Sequence, residues 1–145
     1  MKTVFICEAK RTPVGSFGGI YKHVSAVDLG VIAAKAVLTS EFAAEVDELI
    51  FGNVLSAGLG QAPARQVALG AGLANTVKAL TINKVCSSGL KAVMLGADSI
   101  ALSRSELVLA GGMENMTCAP FLSSSQRYGN RLGHTELKDL SLIHI

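Results

Sequence analysis

Cys86 lies in Ile82-Asn83-Lys84-Val85-Cys86-Ser87-Ser88-Gly89-Leu90-Lys91-Ala92, where a strand pattern gives way to a helical one. A thiol at such a junction meets the first backbone N–H groups of a helix, which have no partner inside it, and the positive end of the helix dipole. An ordinary cysteine, with a pKa of about 8.5, is only a few per cent thiolate near neutral pH, so nucleophilic chemistry needs such a site or a neighbouring base. The residues around Cys86 supply the helix start and no base. Ser87, Ser88 and Gly89 leave little bulk beside the sulfur, so an acyl group has room to approach and the Cys86 N–H can face an oxyanion. A cysteine is more often a small buried hydrophobe. On the residues alone, nucleophile and structural thiol stand about level.

Other residues that could do chemistry are weaker. Cys7 falls in an apolar strand pattern and Cys118 follows a strand with no helix start of its own, so both are expected to be core or pocket wall. Three cysteines, odd in number and without a Cys-x-x-Cys pair, suggest neither a disulfide framework nor a zinc site. The thiols are expected to be reduced, and no metal is expected. Gly70-x-Gly72 lacks the third glycine of a dinucleotide fingerprint and follows a helix, so it reads as helix termination. Asn115-Met116-Thr117 fits a glycosylation pattern by chance in a chain without a secretory signal. Glu114, a strand-end carboxylate beside Gly111-Gly112, is expected to fix a loop rather than act as a base.

The elements that must position Cys86 follow from periodicity. Residues 3–9 form a short apolar run closed by Arg11-Thr12-Pro13, which predicts a buried strand and then a glycine-bearing loop. Ser25 with Asp28 resembles a capping box, and Leu29, Ile32, Ala33, Ala36 and Val37 repeat at helical spacing behind it. Residues 48–55 return to strand character, and a loop ending in Pro63 leads to a helix over about 64–71. Next come a strand over 81–85, a helix over 87–103 and a strand over 106–110. The order is βαβαβαβ. It predicts an α/β fold with a mainly parallel sheet, helices on both faces, and ligands at the carboxyl ends of the strands, where Cys86 sits. Beyond Thr117 the periodicity fades into a polar stretch, with a helical hint at 136–140.

The chain has 145 residues, enough for one domain with a real core. Its 50% hydrophobic and 17% charged residues, with a mean hydropathy of +0.44, make it more apolar than the roughly 25% charged content of an average soluble domain. Much of its surface is expected to be covered by something else. A net charge of +2 without a lysine or arginine run points to no nucleic acid and no membrane surface. Asp98 interrupts the most apolar helix, no stretch reaches the roughly 18 apolar residues of a membrane span, and the amino terminus is too short in apolar residues for a signal peptide. The expected location is cytoplasmic.

Four segments, in order, carry a resemblance: Arg11-Thr12-Pro13-Val14-Gly15-Ser16-Phe17-Gly18-Gly19; Gly52-Asn53-Val54-Leu55 with Gly58-Leu59-Gly60-Gln61-Ala62-Pro63-Ala64-Arg65-Gln66; the Cys86 segment; and Ala110-Gly111-Gly112-Met113-Glu114-Asn115-Met116. The chain resembles the thiolases over nearly its whole length, with the acetyl-CoA C-acetyltransferases as the nearest likeness. The resemblance implies a thiolase-like fold, an incomplete amino-terminal domain over 1–118 and the beginning of a loop domain over 119–145, with an atypical end. It implies that Cys86 takes an acyl group from an acyl-CoA as a new thioester, releases CoA and passes the acyl group to a second acyl-CoA, with ping-pong kinetics. Coenzyme A thioesters are then substrates, no cofactor is implied, and a homodimer or homotetramer is expected at full length.

In the resemblance a histidine activates this cysteine, a second cysteine takes the α-proton of the incoming acyl-CoA, and an Asn-Glu-Ala-Phe motif holds an oxyanion water. None of the corresponding Gly-His-Pro, Cys-x-Gly-Gly or Asn-Glu-Ala-Phe motifs occurs here, and His23, His134 and His144 match none of them. Arg127, Arg131 and Lys138 read as solvated charge rather than as a phosphate cluster. No residue is assigned to CoA. The expectation is an amino-terminal piece, inactive by itself. Two competing readings are a decarboxylating ketoacyl synthase, which residues 11–19 disfavour, and a noncatalytic thiolase-like carrier, which Cys86 with Ser87-Ser88-Gly89 disfavours.

Overall fold

A computed structural model describes residues 2–142. Its sheet is built on β1 (Glu48–Gly52), which lies between β2 (Lys78–Ile82) and β3 (Val108–Gly112) and runs parallel to both. Leu49, Ile50 and Phe51 are all buried, as a central strand covered on two faces requires. Alternation sorts them. Leu49 and Phe51 join Val67, Ala68, Ala34 and Met113 in the main core. Positions 52, 108 and 110 face the other way: a Cβ on Gly52 would strike Ser88, and one on Gly96 would meet Val108 and Ala110.

The helices are α1 (Ala26–Val37), α2 (Ser40–Glu45), α3 (Pro63–Gly70) and α4 (Ser88–Ala101). α3 and α1 cover one face of the sheet and α4 covers the other. The capping box forms: the Ser25 hydroxyl accepts the Asp28 N–H at 3.0 Å and donates to its carboxylate at 2.7 Å. The start of α3 is capped from across the fold instead, since the Ala64 N–H donates to Thr81 Oγ1 of β2 at 2.9 Å. Arg65 then ties α3 to the approach of β2 through the carbonyls of Val77 and Asn75 at 2.8 and 2.9 Å. At the opposite end of the sheet, Asp47 accepts the N–H groups of Glu106 and Leu107, and these bonds, Glu106 first, hold its carboxyl below the usual range.

The parallel sheet with helices on both faces is the expected fold class, but its first expected strand is missing from it. Residues 3–9 form no strand and pair with none among the described residues, with Phe5 77% and Ile6 81% exposed. An apolar run becomes a strand only beside a partner edge. Just ahead of this run, the Lys2 N–H donates to the Ala101 carbonyl at the end of α4 and the Lys2 ammonium pairs with Glu106 before β3, both at 3.3 Å. Cys7 is therefore exposed rather than core.

Three further departures have physical causes. β2 spans 78–82 rather than 81–85, because its register is set by pairing Lys78–Ile82 with Glu48–Gly52, after which the chain leaves the ladder. The helix expected at 136–140 is instead β5 (Lys138–Asp139), paired antiparallel with β4 (Phe121–Leu122) and followed by a short 3-10 turn. Helix α2 gave no periodic signal, being only six residues long, and Thr39 caps it by accepting the Phe42 N–H. His144 lies outside the described residues. Among the described residues no helix is long and apolar enough to cross a membrane, and no cluster of His, Cys, Asp or Glu could hold a metal ion.

Candidate active site

Between the end of β2 and the start of α4, five residues, 83–87, make a tight connection that carries an exposed Cys86. Ser88, only 5% exposed, knits it together. Its hydroxyl donates to the Val85 carbonyl at 2.5 Å and accepts the Lys84 N–H at 2.8 Å. The Ser87 and Ser88 N–H groups donate to the carbonyls of Lys84 and Val85, and Asn83 Oδ1 accepts the Val85 N–H. Val85 is held at φ +48°, a left-handed conformation that a β-branched residue rarely adopts. Strain of this kind costs about 1–3 kcal/mol and persists where surrounding contacts over-determine the backbone.

Glycines let this turn sit against the sheet. A Cβ on Gly52 would lie 2.6 Å from the Ser88 carbonyl carbon, and one on Gly112 would lie 3.3 Å from Gly89 Cα. The first turn of α4 thus rests directly on the carboxyl ends of β1 and β3. Close backbone approach, rather than any φ preference, is what glycine provides at Gly52.

Above this contact is an open cavity of about 730 Å³. Cys86, Ser88, Gly89, Gly52 and Gly112 line one side, Leu29, Ala33, Leu55 and Met113 supply apolar wall, and Lys10, Arg11 and Glu114 supply charge. Glu114 does fix a loop. Its carboxylate accepts the N–H groups of Val54 (2.8 Å) and Leu55 (3.1 Å) and the Asn53 amide (3.0 Å), locking the chain that leaves β1. The same Asn53 amide donates to the Met113 carbonyl at 3.1 Å, so the ends of β1 and β3 are joined by a buried bracket. The cavity thus holds an exposed thiol, a nucleophile in its thiolate form, among apolar walls and the cationic side chains of Lys10 and Arg11.

Residues 4–144 match the family model described as thiolase, N-terminal domain. The chain belongs to the thiolase family. It is 49% identical over 142 residues to an acetyl-CoA acetyltransferase of Saccharomyces cerevisiae, which covers 95% of this chain and 36% of that protein. It is 49% identical over 138 residues to an acetyl-CoA acetyltransferase of Schizosaccharomyces pombe, covering 94% of this chain and 35% of that one. A Staphylococcus aureus protein named "Probable acetyl-CoA acyltransferase" is 47% identical over 141 residues, covering 96% of this chain and 36% of its own length. This thiolase chain therefore spans about a third of the length of the curated relatives it matches.

Within the thiolase chain, the other residues considered from sequence fall elsewhere. His23 and His134 are exposed, and no histidine among the described residues lines the Cys86 cavity. Cys118 is exposed rather than buried, its thiol directed to the carbonyls of Tyr21, Lys22 and Val24 at 3.5–3.7 Å. Arg127, Arg131 and Lys138 are all exposed, and only Arg131 and Lys138 share a shallow depression, which is remote from Cys86 in lining. Sequence reasoning missed Ser88 as the residue that closes the turn, Gly52 as its seat and the left-handed Val85. The glycine in Gly52-Asn53 was visible as a motif, but its purpose depends on which helix end lands on it.

Proposed function

We propose that the longer protein of which this chain is a part transfers acyl groups between CoA thioesters, with Cys86 as the nucleophile. The observation that carries the reading is the exposed Cys86 at the cavity, on a turn fixed by Ser88. The Cys86 thiolate attacks the thioester carbonyl of acetyl-CoA, the carbon–sulfur bond to CoA breaks, and CoA leaves as its thiol after taking a proton. The acetyl group is then a thioester of Cys86. A second acetyl-CoA loses an α-proton to a base, its carbanion attacks the Cys86 thioester, a carbon–carbon bond forms, and acetoacetyl-CoA departs as the Cys86 thiolate is restored. The reverse sequence cleaves a 3-ketoacyl-CoA with CoA.

The activating histidine and second cysteine implied by the family resemblance are not found in the sequence of this chain. Groups that act as a unit lose far more than their separate shares when some are removed. The 145 residues alone are therefore proposed to be inactive in condensation and thiolysis. The complete protein is proposed to be a cytoplasmic homodimer or homotetramer in fatty acid metabolism, using CoA thioesters as substrates and no further cofactor. The relatives' names divide between acetyltransferase and acyltransferase, which supports a second reading in which longer acyl chains are handled.

The test is transfer from isotopically labelled acetyl-CoA, located by peptide mass spectrometry. In a full-length protein carrying this chain, label is expected on the Cys86 peptide and nowhere else, and Cys86→Ser is expected to abolish it. A stable protein in which Cys86 stays unlabelled would favour a noncatalytic carrier. Comparing acetyl-, butyryl- and octanoyl-CoA in the same assay separates the two substrate readings.

A further inference from the structure

Val85, directly before Cys86, is the strained point of the turn, and the bonds around it show what holds it there. Two peptide planes flank a residue and set its φ and ψ. The plane before Val85 is fixed at both ends: the Val85 N–H donates to Asn83 Oδ1 at 2.9 Å, and the Lys84 carbonyl accepts the Ser87 N–H at 3.1 Å. The plane after Val85 is fixed through its carbonyl, which accepts the Ser88 hydroxyl at 2.5 Å and the Ser88 N–H at 3.0 Å. The same hydroxyl accepts the Lys84 N–H at 2.8 Å, so one side-chain oxygen joins the backbone on both sides of Val85. With these planes held, φ stays at +48°, where a β-branched residue is rarely found.

The plane after Val85 also carries the nitrogen and Cα of Cys86. Whatever turns the Val85 carbonyl therefore moves the point at which the Cys86 side chain leaves the backbone, beside the cavity that Cys86 and Ser88 both line. The Ser88 hydroxyl gives its single hydrogen to Val85, which leaves none for an acyl group or a departing thiolate. Its influence on Cys86 runs through the backbone.

We propose that Asn83 and Ser88 are positioning residues, which keep Val85 in its left-handed conformation and so hold Cys86 in the place from which it attacks. Neither acts on the substrate. Strain of this kind persists only while the surrounding bonds over-determine it, so loss of either side chain frees the turn to relax. The side chain at 85 supplies the discriminating test. Glycine takes positive φ about as readily as negative, so a glycine there needs far less holding than a valine. This role rests on Cys86 being the nucleophile, whereas φ at residue 85 is read without turnover.

The experiment follows acetylation of Cys86 by labelled acetyl-CoA in single turnovers of a full-length protein carrying this chain, and crystal structures of the same variants give φ at residue 85. Ser88→Ala and Asn83→Ala are each expected to release Val85 to negative φ. The fraction of competent turns, and the maximal acetylation rate with it, is expected to fall roughly tenfold while the half-saturating acetyl-CoA concentration stays unchanged. Asn83 is exposed, so its replacement tests the turn without disturbing the core. Adding Val85→Gly to either variant is expected to restore positive φ and to bring the rate back to within about threefold of the unsubstituted protein. A double variant as slow as its single variant would overturn the proposal. So would slowed acetylation with φ at 85 still positive, because Ser88 or Asn83 would then act directly, and so would unchanged rates in both single variants. If Cys86 takes no label even in the unsubstituted protein, the nucleophile reading fails by itself, and φ at 85 in the single variants still decides whether Asn83 and Ser88 hold the turn.

Discussion

Replacing Gly52 by alanine tests whether the Cys86 turn is seated on the sheet by backbone contact. The added Cβ would fall 2.6 Å from both the carbonyl carbon and the Cβ of Ser88 and 2.7 Å from the Gly89 nitrogen. Non-bonded carbons settle at about 3.5–4.0 Å, so the first turn of α4 or the end of β1 must move by about 1 Å. None of the obstructing atoms is the far end of a flexible side chain. Overpacking of this kind costs about 1–3 kcal/mol. Gly89, in the same contact, supplies the control. A Cβ there meets nothing nearer than 3.9 Å, and exchanging glycine for alanine within a helix favours the folded chain by about 0.5–1 kcal/mol. The two substitutions are chemically identical and expected to differ in sign, by about 1.5–4 kcal/mol in total. Urea unfolding followed by far-ultraviolet circular dichroism measures the difference. The rate of Cys86 labelling by a thiol reagent, in a Cys7→Ser, Cys118→Ser background, reports whether the turn has moved. If Gly52→Ala stays within about 0.5 kcal/mol of the parent and leaves the labelling rate unchanged, the seating argument is wrong.

Ser88→Ala should destabilise the chain by about 1–3 kcal/mol, because the Lys84 N–H and Val85 carbonyl lose the hydroxyl that joins them; an unchanged urea midpoint would contradict its knitting role. Val85→Gly should raise stability by about 1 kcal/mol, since relief of the left-handed strain exceeds glycine's added freedom in the unfolded chain; a lower thermal midpoint would show that the Val85 side chain matters more than its backbone. Asp47 has a lowered pKa in the fold, so its contribution is fully present above the unfolded value of about 3.9 and is lost as pH falls through the lower folded value. The stability difference between the parent and Asp47→Asn should therefore be constant near neutral pH and shrink below about pH 4. A difference that stayed constant into acid would exclude the carboxylate as its source.

The sequence by itself determined the α/β class, most helix positions, the Ser25 cap and the placement of Cys86 where β2 gives way to α4. These are local matters: apolar period, capping residues and turn residues act within a few positions of one another. The family likeness was legible for the same reason, being carried by four short contiguous segments. Tertiary structure alone decided what those segments are for. Gly52 is a seat because α4 returns to it across 36 residues of chain, and Thr81 is a helix cap because β2 lies beside α3. Glu114 locks 53–55 only because β1 and β3 end side by side. The same dependence explains the two clearest departures. Residues 3–9 and 136–140 carry local patterns that a neighbour must complete; the first finds no edge among the described residues, while the second finds β4 and becomes a strand. Hydrogen-bond partners are assigned by the whole fold, and a run of side chains cannot supply its own.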